Sequence, residues 1–306
     1  MKPLLIGIGD LHGHYPALNT LLHRLDQTYS IFDSDHHLRP EIQLVFTGDY
    51  VDRGQQNLPL LTTLMALAQE NPTQVVQLFG NHELMALAAL QRARELLQES
   101  PESTLYTKYT FGTLHGRNGG TALVTEFGKD PKEAFEQFTT RLSREGDIGK
   151  WMRNLKPLHF QQFQNHDVLF VHGGIPKTLA SSHDLENYLD AFSAHMQTRT
   201  VDFVRNSLKF SRDEKVDGHS LFWDRRIPRM QQQELETVLD GLGVDYLVIG
   251  HTPQLGITNY FNRAFNVDVG MCPAYGEHEP AAIVFKPEGI FAFYANKGEE
   301  KLSGYK

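Results

Sequence analysis

The chain has 306 residues, 40% of them hydrophobic and 22% charged, with a formal net charge of −8. That composition supplies a full core and excludes a disordered or fibrous chain; no apolar run approaches the roughly 18 residues that cross a bilayer, and the acidic balance argues against nucleic acid or a membrane surface as partner, both being anionic. The single cysteine, Cys272, excludes an intramolecular disulfide and a cysteine-rich zinc site, so any metal site must draw on Asp, Asn and the 15 histidines.

Leu4–Ile8 reads as a short buried strand and ends in Gly9-Asp10-Leu11-His12-Gly13. It is too short for a signal peptide and lacks a small-residue cleavage site, so a reducing, cytoplasmic location is expected. A helix follows over Tyr15–Leu25, with Leu18, Leu21, Leu22 and Leu25 on one face. The strand Ile42–Phe46 ends in Gly48-Asp49-Tyr50-Val51-Asp52-Arg53-Gly54, before a helix over Leu58–Gln69. Val75–Phe79 ends in Gly80-Asn81-His82-Glu83 and leads into the helical pattern Leu84–Leu97. Ser100 to Lys129 breaks the rhythm with Pro101 and the glycine-rich Gly116–Gly120, and reads as an insertion or lid over the site at about 100–130.

Helical pattern returns over Pro131–Arg144. Val168–Val171 ends in His172-Gly173-Gly174, and Tyr246–Ile249 ends in Gly250-His251-Thr252. Between them, Ser181–Lys215 reads as mostly helical, a second excursion from the core. The tail runs through Ala264–Val269, Ala281–Phe285 and Ile290–Tyr294, the last two joined as a hairpin by Pro287-Glu288-Gly289. Strands alternating with helices imply βαβ units, a largely parallel sheet and a site outside the carboxyl ends of its strands. With no repeat and no low-complexity linker, residues 1–306 are expected to form a single domain.

The polar residues of the five clusters are Asp10, His12, Asp49, Asn81, His172 and His251. Any one cluster alone reads as a turn with a surface histidine. Five of them, each closing a separate strand, form an oxygen-and-nitrogen ligand set that suits Mn, Fe or Zn better than Ca. Two metals need a shared ligand, and Asp49, central in the order, is the natural bridge. Two such ions about 3.5–4 Å apart acidify a water held between them and supply a nucleophile for attack on phosphorus. Three neighbours are not needed as ligands. Arg53 offers a planar fork for phosphate, His82 a proton for a leaving oxygen, and Asp52 a partner that fixes the tautomer of His82. Arg225 is a candidate second phosphate clamp, with Arg226 as the alternative.

Other eye-catching residues carry less. Cys272 has no arginine at phosphate-loop spacing and reads as a packed thiol. His36 and His37 read as a polar turn. His14 flanks the site without ligating. Tyr275 lies near the expected rim. His115, inside the insertion, is read either as reaching substrate or as sitting on the surface.

The ordered set GDLHG (Gly9–Gly13), GDYVDRG (Gly48–Gly54), GNHE (Gly80–Glu83), HGG (His172–Gly174) and GHT (Gly250–Thr252) resembles the phosphoprotein phosphatase family of metallophosphoesterases. The resemblance implies an α/β calcineurin-like metallophosphoesterase fold, a two-sheet β-sandwich flanked by helices with a dinuclear centre between the strand ends. It further implies that Asp10, His12 and Asp49 hold one divalent ion and that Asp49, Asn81, His172 and His251 hold the other. His82 would then be the acid, oriented by Asp52, with Arg53 and one of Arg225 or Arg226 on the phosphate. Asn81-His82-Glu83-Leu84-Met85, Leu169–Gly174, Phe222–Arg225 and Val267–Met271 resemble the bacterial Shewanella-like branch. The eukaryotic LLWSDP stretch is absent, which removes the basis for expecting regulatory-subunit docking. Glu83 after Asn81-His82 favours the protein-phosphatase side over the diadenosine tetraphosphatases.

The expected activity is hydrolysis of phosphomonoesters, on phosphorylated protein or small phosphoester substrates, with two divalent ions of Mn, Fe or Zn. A nucleotide or dinucleoside polyphosphate hydrolase is the alternative within enzymes. A non-catalytic, metal-dependent phosphoprotein-binding module is the alternative outside them.

Overall fold

The computed structural model describes residues 2–176, 179–198 and 221–305. Two mixed sheets lie at its centre. In the first, the order is β11-β10-β9-β1-β2-β3. Its parallel half is β1 (Leu4–Ile8), β2 (Ile42–Phe46) and β3 (Val75–Gln77), joined by helices α1 (Tyr15–Tyr29) and α2 (Asn57–Glu70). Its antiparallel half is the tail, β9 (Ala281–Lys286), β10 (Gly289–Tyr294) and β11 (Gly298–Ser303). The second sheet has the order β4-β5-β6-β8-β7, built from β4 (Leu158–Phe163), β5 (His166–Val171), β6 (Tyr246–Ile249), β7 (Thr258–Tyr260) and β8 (Ala264–Asn266). Here β5, β6 and β8 run parallel, and β4 and β7 close the edges antiparallel.

The two-sheet sandwich with flanking helices is therefore the architecture observed, whereas one largely parallel sheet is not. The hairpin β9–β10 pairs with the free edge of β1 and makes the first sheet mixed. The run Val75–Phe79 also stops being a strand at Gln77. Its last residues turn instead to the second sheet's approach, with the Phe79 amide donating to the Lys156 carbonyl at 2.8 Å.

Period-two alternation decides what each strand faces. In β5, Val168 and Phe170 enter the core between the sheets, where Phe170, Tyr246 and Phe265 pack around Phe285. Leu169 and Val171 point the other way, under Leu235 and Leu239 of α9 (Gln232–Leu242). Helices α3 (Asn81–Glu99), α4 (Leu105–Gly112), α5 (Thr121–Thr125), α6 (Pro131–Arg141) and α7 (Asp147–Asn154) follow β3, and α8 (Ser182–Thr198) precedes α9. α6 shows why such segments start where they do. The Asp130 side chain caps the Glu133 amide at 2.8 Å, Pro131 fits the first turn, and Ala134, Phe135 and Phe138 bury one face. The 100–130 segment packs into the body through Leu105, Tyr109, His115 and Leu123, all buried. The stretch beyond Thr198, expected as part of a long helical excursion to Lys215, lies outside the described residues. No helix among the described residues is long and apolar enough to cross a membrane.

The parallel strands of both sheets end at the same side, and the loop after β2 is the centre of that end. It contains three non-glycine residues in left-handed conformation, Asp49 (φ 52), Asp52 (φ 77) and Arg53 (φ 65). Each such residue costs roughly 1–3 kcal/mol. What holds the loop is Glu83 at the third position of α3. Its buried carboxylate accepts the amides of Asp49 (3.0 Å), Tyr50 (2.8 Å) and Val51 (3.2 Å), and also that of Gly80 (2.9 Å), which caps its own helix. Burial, and then the charge of Asp49, push Glu83 up to about 7; His82, His172 and the Gly80 amide favour the ionised form against that. Gly48 and Gly80 let the two segments approach. Gly48 has φ 103, and a Cβ on Gly80 would stand 2.0 Å from Asp49 Oδ1.

Glu83→Gln leaves one oxygen for four amides, and each buried amide left unpaired costs roughly 1–3 kcal/mol. The variant is expected to denature at a lower urea midpoint with unchanged m-value. An unchanged midpoint would show that the loop holds itself.

Candidate metal centre

The five strand-end clusters converge. Asp10, His12, Asp49, Asn81, His172 and His251 are all buried at one place between the two sheets' ends. Ligand-capable atoms of His12, Asp49 and His82 lie within 4.8 Å of one another, as do those of Asp49, His172 and His251. Asp49 belongs to both groups. Its Oδ1 also accepts the His82 amide at 2.9 Å, at the N-terminus of α3, where the helix dipole favours an anion. Asp10 sits beside them, with both oxygens near the His251 amide (3.1 and 3.2 Å) and Oδ1 4.0 Å from His172 Nδ1.

Backbone carbonyls orient the imidazoles. His12 Nδ1 meets the Val51 carbonyl at 3.1 Å and His172 Nδ1 meets that of Thr47 at 2.8 Å. A carbonyl only accepts, so both rings donate from Nδ1, and a neutral ring then turns its Nε2 lone pair inward. His172 Nε2 lies 3.3 Å from Asp49 Oδ2 and 3.1 Å from Asn81 Oδ1, and His12 Nε2 lies 3.6 Å from Asp49 Oδ2. His251 Nε2 and Asp268 Oδ2 are buried with no hydrogen-bond partner. Acceptor atoms thus converge with too few donors among them, which is the environment a cation relieves.

The electrostatics agree. Burial, then the charges of Asp268 and Asp49, raise Asp10 well above the usual carboxyl range, and burial raises Asp268 to about 7. Burial, then the neighbouring His82, lower His12 to about 3, and burial followed by His172 and Arg225 lowers His251 well below its ordinary value. Burial also pushes Asp49 up, but His172, His82 and His12 outweigh it and leave its carboxyl low. Imidazoles kept neutral by burial at His12 and His251, beside an ionised Asp49 carboxylate and further carboxyls waiting to ionise, are the donor set of a divalent nitrogen–oxygen site.

Beside this cluster stands a hydrogen-bonded acid–base pair. His82 Nδ1 meets Asp52 Oδ2 at 2.7 Å, so its Nε2 is left for the site. Burial raises Asp52, but His115 and His82, hydrogen-bonded to its two oxygens, prevail and bring it to about 2. Arg53 is half-buried, its guanidinium 5.0 Å over the Tyr275 ring, which itself stands 5.1 Å from the His12 ring. Tyr275 therefore lies at the rim, as the sequence suggested.

The two arginines after Asp224 part company. Arg226 spends its donors on Asp224 (Nε to Oδ2, 2.9 Å) and on the Ile175 carbonyl. Arg225 is exposed, reaches Thr252 Oγ1 at 3.3 Å, and acts electrostatically on His251.

His14 Nδ1 donates to the Met271 carbonyl at 2.8 Å, so it flanks the cluster. Cys272 is buried, and His36 and His37 belong to a turn around Asp33. Two residues were not anticipated. Asp268 follows β8 in Val267-Asp268-Val269-Gly270, the same strand-then-acid pattern as the other clusters, so a signal existed. His115 is neither at substrate nor on the surface: it is fully buried behind Asp52, with Nε2 2.8 Å from Asp52 Oδ1. Nothing local in the sequence marks that contact, which spans 63 positions.

The chain is 24% identical over 296 residues to a serine/threonine-protein phosphatase of Caenorhabditis elegans, covering 92% of this chain and 53% of that protein. It is 24% identical over 289 residues to Shewanella-like protein phosphatase 1 of Plasmodium berghei, covering 90% of this chain and 70% of the relative. The chain thus spans about half of the first relative's length. The cold-active protein-tyrosine phosphatase of a psychrophile Shewanella has the same fold, with a TM-score of 0.64 at 22% identity over 99% of this chain and 81% of that one. These relatives match the resemblance to phosphoprotein phosphatases of the Shewanella-like branch. A sequence model described as calcineurin-like phosphoesterase matches residues 4–255, and the chain belongs to that family.

Proposed function

We propose that this chain is a dinuclear-metal phosphomonoesterase that removes phosphate from protein side chains. The observation that carries it is the arrangement around Asp49: one carboxylate shared between His12 on one side and His172 and His251 on the other, with the His82–Asp52 pair alongside. Asp10, His12 and Asp49 would hold one ion, and Asp49, Asn81, His172 and His251 the other, with Mn, Fe or Zn suited to such donors. When bound, the ions supply Lewis acidity and an acidified water for in-line attack on phosphorus.

The chain's own residues do the rest. Arg53 and Arg225 take the phosphoryl oxygens, Arg53 with its fork braced over Tyr275. Arg226, tied to Asp224, is left to a structural part. His82, its Nδ1–H spent on Asp52, gives a proton from Nε2 to the leaving oxygen. Relatives named as serine/threonine and as tyrosine phosphatases support a phosphorylated side chain as substrate.

The test starts with metal-stripped protein and nitrophenyl phosphate, adding Mn, Fe, Zn or Mg singly. Turnover should require metal and should fall by about 100-fold or more in Asp49→Asn, which cannot bridge. Phosphopeptides follow with the active metal. Full metal occupancy without turnover on any phosphoester would refute the reading.

His82→Ala separates the acid from the ligands. On a phosphoserine peptide, whose alkoxide leaves poorly, the loss should be on the order of 10²–10⁴. On nitrophenyl phosphate, whose product leaves unaided, it should be far smaller. Equal losses would remove His82 from the acid role.

A further inference from the structure

The His82–Asp52 pair does not end at Asp52. The carboxylate is fully buried, and its second oxygen, Oδ1, is met by His115 Nε2 at 2.8 Å. His115 Nδ1 in turn meets the Tyr109 hydroxyl at 2.6 Å. All four side chains are buried, so water does not compete for these contacts.

The donors and acceptors of this chain order themselves from its far end. Burial, then the charge of Asp52, raise Tyr109 well above its ordinary value, so its hydroxyl keeps its proton. That proton goes to His115 Nδ1, the one acceptor it meets among the described residues. An imidazole that accepts on Nδ1 carries its proton on Nε2, so His115 donates from Nε2 to Asp52 Oδ1. Asp52 then uses Oδ2 for the Nδ1–H of His82. The ring of His115 is fixed by packing as well. It stacks on Phe138 (6.1 Å between centroids, 12° between planes) and meets Tyr109 edge to face. A Cβ on Gly120 would stand 2.3 Å from the ring, so the glycine turn closes against it.

The same segment grips the loop at further points. The Gly119 carbonyl accepts the Arg53 amide at 3.3 Å. Glu126 accepts the Asn57 amide (2.8 Å), its side-chain nitrogen (2.6 Å) and the Leu58 amide (2.8 Å). Asn57 Oδ1 accepts the Asp52 amide at 2.7 Å. Residues 109–126 therefore hold the carboxylate of Asp52 directly, through His115, and its backbone through Asn57.

We propose that His115, with its tautomer set by Tyr109, is a positioning residue that locks the Asp52 carboxylate and so aims His82 at the leaving group. The proposal rests on the reading of His82 as the proton donor. In its absence Oδ1 would be a buried, unpartnered carboxylate oxygen, free to turn away from the geometry His82 needs.

The experiment compares kcat and KM on a phosphoserine peptide and on nitrophenyl phosphate for wild type, His115→Ala, His115→Gln, Tyr109→Phe and His82→Ala, all Mn-loaded. His115→Ala should lose about 10–100-fold in kcat on the peptide, with KM and the nitrophenyl rate within about twofold of wild type and two metals retained. His115→Gln, whose amide still donates, should recover most of that loss. Tyr109→Phe keeps the ring packing and should show the same substrate selectivity at smaller size, which also serves if His115→Ala does not fold. Equal losses on both substrates, or none, in Tyr109→Phe and the folded His115 variants would overturn the proposal while a selective His82→Ala leaves the acid reading standing. Non-selective His82→Ala would overturn both.

Discussion

The structure depends on one buried carboxylate holding one strained loop. Glu83 accepts four backbone amides, three from the loop that follows β2 and one from its own helix cap. Hydrogen bonds to the ionised form of such an acceptor contribute roughly 1.5–3 kcal/mol each, against roughly 1–3 kcal/mol for each residue forced into left-handed conformation. The clamp is therefore of the size needed to keep Asp49, Asp52 and Arg53 where relaxed backbone would not put them. The loop passes the constraint on. Its Asp49 carbonyl accepts the amides of Leu11 and His12, and Gly54 returns a hydrogen bond to the His12 carbonyl. The Thr47 carbonyl just before it orients His172, whose own carbonyl accepts the Gly250 amide. Fixing one loop thus fixes the ends of β1, β5 and β6 that carry the candidate ligands.

The sandwich explains why six potential ligands from distant parts of the chain can meet. The parallel halves of two sheets end at the same side, and each strand end delivers one cluster. Helix α3 adds a second influence, since its N-terminus presents Asn81, His82 and the Asp49-binding amide together. Left-handed residues concentrate here, His12, Asp49, Asp52, Arg53 and His251 among them, as expected where geometry is set by function and not by local preference.

What could be read in the sequence follows from the range of the interactions. Strand ends and their polar clusters are local features, so Asp10, His12, Asp49, Asn81, His172 and His251 were identifiable from pattern alone. Pairing between strands is not local: the tail hairpin's place on the edge of β1 changes the sheet from parallel to mixed, and no periodicity announces it. The choice between Arg225 and Arg226 depends on Asp224 and Ile175 consuming one guanidinium. The contacts of His115 and Glu126 were invisible because their partners, Asp52 and Asn57, lie more than sixty positions away. The segment that carries them looked like an irregular excursion because its hydrophobic residues serve packing on α3 and α6, without the clean period of a surface helix.

The central claim is that the β2 loop delivers one carboxylate to two ions while His82 stays out of the ligand set. Anomalous diffraction from crystals soaked in Mn tests this most directly. The account predicts two peaks about 3.5–4 Å apart, the Asp49 carboxylate between them, and His82 Nδ1 still on Asp52 with Nε2 unligated. A single peak, Asp49 on one ion only, or His82 coordinating metal would contradict it.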